Sequence, residues 1–254
     1  MELGVEQMGM YWCDLMKYFI LVLFLIWPSI SRADIASGLQ LWWKFDEGSG
    51  STALDASGNV NSGSFVNSPA YVTGKIGPYA LSFDGSTQGV TVSNSSSIDV
   101  TGAITLSMWL YPTSCASAFQ IPIWKEQQFT FALQNVSGVC EISYADSSDF
   151  NYGDFGSYGN VSTNAWHLIT VTKDGSNLVS IYLDGSLVTS KTYGSAITGT
   201  TNPLYVSKWP DGASYWFPGY IDDVRIYNRA LLAADVAQLY AYTGKTAGFF
   251  SLSR

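Results

Sequence analysis

Charge is scarce in this chain, and basic charge most of all. Charged residues make up 13% of it, about half the usual share. The 12 Lys and Arg are outnumbered by 20 Asp and Glu, for a formal net charge of −8. No cluster of Lys and Arg occurs, and gripping a phosphate backbone requires one, so nucleic acid is excluded as a partner. Histidine occurs once, at His167, and cysteine three times, which rules out a Cys/His zinc site. A bilayer-spanning run is also missing. The apolar stretch from Tyr18 to Trp27 falls well short of the roughly 18 residues that a membrane helix needs.

That short run reads instead as the apolar core of a signal peptide. Lys17 precedes it, and Ser31-Arg-Ala33 places small residues at the −3 and −1 positions of a cleavage site before Asp34. Residues 1–33 are therefore expected to be a leader, with no membrane span left after cleavage, and the mature chain to be secreted or held at the cell surface or envelope. The segment before Met16 carries Glu2, Glu6 and Asp14 and no basic residue. That is wrong for the start of a leader, so Met16 reads as the true first residue. Cleavage removes Cys13 and leaves Cys115 and Cys140. An even pair in an exported chain is a disulfide candidate, the alternative being two buried thiols.

What is abundant is Gly, Ser, Thr, Asn and Tyr, together with 47% hydrophobic and 15% aromatic residues. This suits many short strands joined by tight turns around a large core, and excludes global disorder. Leu39 to Phe45 alternates; Ala103 to Tyr111 alternates and is closed by Pro112. Ala80–Asp84 and Gly89–Val92 read as a hairpin. Further strands are expected over 121–125, 129–134, 139–144, 166–172, 179–183, 203–206 and from Tyr220 onward. One helix is expected, from about Leu232 to Tyr242, burying Val236, Leu239 and Tyr240 and stopping near Gly244. With no linker or repeat, residues 34–254 form one all-β domain. The last strand holds an anomaly. At a period of two, Asp222 falls in one row with Val224 and Ile226, so its carboxylate needs a partner. Asp223 and Arg225 read as an exposed ion pair.

Seven segments carry a resemblance. They are Trp43-Lys-Phe-Asp-Glu-Gly-Ser-Gly50, Asp55-Ala-Ser-Gly58, Ala80-Leu-Ser-Phe-Asp-Gly85, Ile104-Thr-Leu-Ser-Met-Trp109, Trp166-His167, Leu183-Asp-Gly185 and Ile221-Asp-Asp-Val-Arg-Ile-Tyr-Asn-Arg-Ala-Leu231. In this order the chain resembles the laminin-G-like jelly rolls of the concanavalin A-like lectin/glucanase superfamily, over essentially all of residues 38–244. The resemblance implies a two-sheet antiparallel jelly-roll sandwich, with about six or seven strands per sheet and a short helix near the C-terminus. It also implies a binding or adhesion module.

Catalysis is not expected. Glucanases of this superfamily use Glu-x-Asp-x-x-Glu on one strand, and no strand here carries it; Glu126 and Glu141 are isolated, and Asp146, Asp149 and Asp154 read as loop residues. A Ser-His-Asp site around His167, the single histidine, is conceivable in a chain so rich in serine, but His167 reads as a packed structural residue. By the resemblance, Asp222 is the best match to an aspartate that helps hold a structural Ca²⁺ in related glucanases, with Glu47 and Asp55 as co-ligands. The alternative is that Asp222 accepts backbone N–H groups or pairs with Arg225 or Arg229. A pentraxin-like calcium is not expected: the segment Thr87-Gln-Gly89 lacks the acidic residue and asparagine of those relatives, although Asp211 matches a second cluster of theirs. Sugars stack on aromatic rings beside Asn, Asp and Gly groups. Two loops fit, with Phe155 and Tyr158 in one and Trp209, Asp211 and Tyr215 in the other. The expected partner is an extracellular glycan, or failing that a surface protein.

Overall fold

A computed structural model describes residues 34–147, 156, 158–208 and 215–244. The expected leader, and Phe155, Trp209 and Asp211 among the candidate ligand-binding residues, lie outside the described residues. From Asp34 onward the chain clusters as one compact unit.

Among the described residues, sixteen strands and one helix follow in order. They are Leu39–Trp43 (β1), Thr52–Ala53 (β2), Gly63–Val66 (β3), Ala70–Thr73 (β4), Tyr79–Asp84 (β5), Gly89–Val92 (β6), Ile104–Pro112 (β7), Phe119–Lys125 (β8), Phe129–Val136 (β9), Val139–Asp146 (β10), Tyr158–Asn160 (β11), His167–Lys173 (β12), Leu178–Leu183 (β13), Ser186–Thr192 (β14), Leu204–Val206 (β15), Pro218–Tyr227 (β16) and Ala233–Ala241 (α1). The first sheet runs β14-β13-β12-β7-β16-β5-β4, with β1 also paired to β16; the second runs β11-β10-β9-β8-β15-β6-β3-β2. Each sheet has eight strands and the pairings are antiparallel, the jelly-roll sandwich that the motifs imply, with somewhat wider sheets.

Alternation builds the core. In β7, Ile104, Leu106, Met108 and Leu110 point inward to meet Phe129, Phe131 and Leu133 of β9. Thr105, Ser107, Trp109 and Tyr111 then point outward, as a period of two requires. The sheets are also tied by polar contacts. Lys173 at the end of β12 donates to Asp146 at the end of β10 at 2.8 Å, both side chains fully buried. Asp146 is therefore a strand residue in an inter-sheet ion pair and not a loop residue. Cys115 and Cys140 form a disulfide, with Cα atoms 5.7 Å apart.

Two local expectations are corrected. Ala80–Asp84 and Gly89–Val92 are not a hairpin: β5 pairs with β4 and β16 in the first sheet, whereas β6 pairs with β3 and β15 in the second. Their connection crosses between sheets because Asp84 folds it, accepting the N–H groups of Ser86, Thr87 and Gln88 and the Thr87 hydroxyl. In α1, Val236 and Leu239 are buried as expected, but Tyr240 is 45% exposed, its ring lying stacked on Trp109 at 5.6 Å. Asp235 accepts the Leu232 N–H and so caps the first turn.

The anomaly in β16 resolves into a bulge. Against β7 the register shifts between Asp222 and Arg225, and Asp223 sits at φ +52°. One extra residue reverses the parity of the strand. Ile221, Val224 and Ile226 all reach the core, and Asp222 is turned to the outer face opposite Trp109. The row that seemed to bury a carboxylate among aliphatic residues does not exist. Asp223 and Arg225 are likewise not exposed: they are 4% and 2% accessible, 3.0 Å apart, with the guanidinium between the rings of Trp42 and Tyr242.

Candidate functional site

The outer face of the first sheet is partly roofed. Trp109, Leu168, Tyr182 and Tyr227 pack there under Ile76, Leu231, Val236 and Leu239. Beneath this roof the Asp222 carboxylate accepts the N–H groups of Lys75 and Ile76, each at 2.8 Å and each on Oδ2. Its Oδ1 is buried with no hydrogen-bond partner. Burial pushes the carboxyl up to about 8, and the charges of Asp223 and Asp46 push the same way against the two backbone hydrogen bonds. An orphaned anionic oxygen of this kind is relieved by a proton or by a cation.

The other two expected calcium ligands are placed elsewhere. Asp55 is saturated by β1 and its own loop, accepting from the N–H groups of Trp42, Ser57 and Asn61 and the Ser57 hydroxyl. Glu47 accepts the Leu54 N–H and the Tyr71 hydroxyl. Among the described residues no three His, Cys, Asp or Glu side chains gather in a metal-holding group. Among the described residues only Asp222 presents a buried carboxylate oxygen without a partner, and the charges of Asp223 and Asp46 both reach it. Oxygens of the backbone or of water would have to complete the shell of a Ca²⁺ ion.

His167 is held on both ring nitrogens. Nε2 lies 2.8 Å from the Ser162 hydroxyl and Nδ1 lies 2.8 Å from Asp184 Oδ2. Asp184 accepts the Leu168 N–H on its other oxygen. A serine, a histidine and an aspartate are therefore linked in the order of a hydrolytic triad, the arrangement that the sequence reading set aside in favour of a packed structural histidine. The link joins the segment after β11 in the second sheet to β12 and the β13–β14 turn in the first, so it also clamps the sheets where β12 begins.

On the outer face of the second sheet, one row crosses six strands: Ala145, Thr130, Trp124, Tyr205, Thr91 and Ser64 stand side by side. Ile121, Trp124 and Ala132 form a cluster there, packed by Phe119, Tyr205 and Tyr215. Tyr215 is fixed by its carbonyl, which accepts the Ile121 N–H at 2.8 Å, and its ring meets Phe119 edge-on at 6.0 Å. Lys208 lies over the Tyr205 ring at 5.3 Å. Tyr158, from the other candidate loop, is placed differently: it begins β11, pairs with Ile142 of β10 and packs against the core.

The first sheet carries a second aromatic group that sequence spacing could not reveal. Tyr111 and Tyr220 stand opposite each other on β7 and β16 and stack at 5.0 Å, 16° from parallel. Trp166, just before β12, meets Tyr111 at 5.6 Å and Tyr220 at 6.2 Å. All three are half-buried. The strands approach closely here, because a Cβ on Gly219 would collide with the Tyr111 carbonyl oxygen. Residue types alone offered one signal, three aromatics each next to a strand end.

Comparison with known proteins agrees with this architecture. Domain 4 of AbnA, an extracellular arabinanase from Geobacillus stearothermophilus solved in complex with arabinotriose, is 23% identical with a TM-score of 0.62, over 80% of this chain and 98% of that one. The binding domain of Paraclostridial Mosquitocidal Protein 1 is 18% identical with a TM-score of 0.63, over 82% and 52% of the two chains. A botulinum neurotoxin type C structure, whose cell entry depends on two ganglioside molecules, is 17% identical with a TM-score of 0.62, over 85% and 54%. Identities this low establish a shared fold. In sequence, the adhesion G-protein coupled receptor V1 of Danio rerio is 33% identical over 86 residues, a match spanning 1% of that receptor. A family profile matches residues 84–237, more than half of the chain, and the chain belongs to the family it describes, the concanavalin A-like lectin/glucanases superfamily.

Proposed function

We propose that this chain is a non-catalytic extracellular binding module whose ligand is a saccharide. The observation that carries the reading is the aromatic cluster on the outer face of the second sheet. There Phe119, Tyr205 and Tyr215 stand half-buried over Trp124, with Thr91, Ser64 and Lys208 beside them. Aromatic faces take the C–H side of a sugar ring, and hydroxyl and amine groups take its hydroxyls. The arabinotriose bound by the arabinanase domain and the gangliosides of the neurotoxin support a glycan as the ligand class.

The Ser162–His167–Asp184 link serves in this reading as a clamp between the sheets. Asp184 spends one oxygen on the Leu168 N–H and the other on His167, which suits holding the turn in place. A structural Ca²⁺ at Asp222 is part of the same proposal: bound there it would neutralise the orphaned Oδ1, while Asp46 and Asp222 supply the charge. It would hold the 74–78 loop against the sheet and have no part in ligand binding.

Binding of the wild-type protein to a glycan array tests the function, with Tyr205→Ala and Tyr215→Ala as the site variants. Binding that weakens in both, at unchanged melting temperature, is the expected result. Equal retention in both removes the second sheet as the site, and absence of any glycan binding overturns the reading in favour of a protein-docking or adhesion module.

A further inference from the structure

The aromatic row on the first sheet stops partway across it, and where it stops is informative. Opposite Tyr220 on its other side stands Ser82 of β5, and opposite Ser82 stands Ala70 of β4. One outward row therefore reads Tyr111, Tyr220, Ser82, Ala70 across four neighbouring strands, with Trp166, just before β12, against Tyr111 at its end. Cross-strand neighbours are about 4.8 Å apart, close to the 5.0 Å at which Tyr220 stacks on Tyr111. The next place in that stack, above Ser82, holds a side chain too short to fill it, and Ala70 beyond is exposed. The second face of the Tyr220 ring thus looks over a shelf roughly two strand spacings wide. The helix and the 74–78 loop roof the adjacent row at Trp109.

We infer that this shelf is a second saccharide subsite, resting on the sugar-binding reading proposed above. One neutral sugar ring stands above Ser82, its C–H face against Tyr220, as a third tyrosine would in a continued ladder. A flat apolar face of ring size is what the open side of Tyr220 complements, and the Ser82 hydroxyl and the tyrosine hydroxyls are the donors and acceptors within reach of a sugar's rim. Trp166 and Tyr111 back the tyrosine and hold its ring upright, so little side-chain freedom is lost on binding. The formal net charge of −8 disfavours an acidic sugar. A planar peptide or lipid surface would need the flat apolar patch that the step down from Tyr220 to Ser82 interrupts.

The test fills the shelf and, separately, removes its wall. Ser82→Tyr places a ring where the sugar would stand, and Tyr220→Leu removes the stacking face. Each variant is compared with wild type and with Tyr205→Ala, after melting curves establish that it is folded, by titration with neutral arabino-, xylo-, cello- and galacto-oligosaccharides and with a sialylated oligosaccharide. The expected result is an affinity for a neutral oligosaccharide that falls about tenfold or more, about 1.4 kcal/mol, in both Ser82→Tyr and Tyr220→Leu. Tyr205→Ala keeps the part of the binding that those two variants lose. If Ser82→Tyr and Tyr220→Leu bind as wild type does while Tyr205→Ala does not, the subsite is wrong and the function stands. If only the sialylated probe binds, the ligand class is wrong. If wild type binds none of the probes, both the subsite and the sugar-binding function fall.

Discussion

Asp222 and Ile76, far apart in the chain, meet where the Ile76 N–H donates to Asp222 Oδ2 at 2.8 Å under the roof of the first sheet. The adjacent Lys75 N–H donates to the same oxygen, and the other oxygen is buried without a partner. A carboxylate that half satisfies a loop and half repels its surroundings is a titrating element of stability.

In calcium-free buffer, stability is expected to fall as pH rises from about 4, the ordinary carboxylate value, to about 8, the value in the folded protein. The sign follows because the folded state binds the proton more tightly than the unfolded one across that window. The loss is on the order of a few kcal/mol. Added Ca²⁺ should restore stability most at the alkaline end, and Asp222→Asn should flatten the pH profile and abolish the Ca²⁺ response. Melting curves in EDTA and in Ca²⁺ measure this, and a profile indifferent to both pH and EDTA would overturn the cation site.

Arg225 and Asp223 form a buried pair on the bulge. Arg225→Met leaves the Asp223 carboxylate with the Trp42 indole N–H alone, and should cost about 3–5 kcal/mol. Adding Asp223→Asn removes the stranded charge and keeps a residue that tolerates φ +52°. The double variant should therefore be more stable than Arg225→Met, a coupling that denaturant unfolding of the full cycle will measure.

The Cys115–Cys140 bridge closes a 25-residue separation between the segment before β8 and β10. Reduction, or the pair Cys115→Ser and Cys140→Ser, should cost about 2–4 kcal/mol. The reading is the midpoint of urea unfolding with and without reductant.

Ser162 should be unreactive. A fluorophosphonate probe is expected to leave it unlabelled, because the His167 link acts as an inter-sheet clamp in the proposed function. His167→Ala removes the hydrogen bonds to Ser162 and Asp184; with the Asp184 side chain 32% accessible to water, it should lower stability by about 0.5–1.5 kcal/mol and leave glycan binding intact. Labelling at Ser162 by mass spectrometry would establish a nucleophile and overturn the non-catalytic assignment.

Much of the framework is legible in the residues. Period-two runs such as Ile104–Leu110 locate strands because burial on one face is local to the strand, and Val236 and Leu239 locate the helix stripe for the same reason. The Cys115–Cys140 pair is legible as a candidate, because only these two cysteines follow the expected leader, and the structure selects the disulfide over two buried thiols. Short segments such as Gly63–Val66 and Ala70–Thr73 escape notice, since their burial pattern is set by neighbours and not by their own alternation. The same is true of the Asp84 connection, which looks like a hairpin until its two strands are seen to join different sheets.

What the amino-acid order determined by itself is the class of the fold and the alternation that feeds its core. Both depend on periodicity and turn chemistry within a few residues. Only the tertiary structure decided the parity of β16, because a bulge at Asp223 is defined by the partner strand it slips against. That slip put Asp222 under the 74–78 loop and not in the core. It likewise took cross-strand register to set Tyr111, Tyr220, Ser82 and Ala70 in one row, for a row across strands has no spacing along the chain.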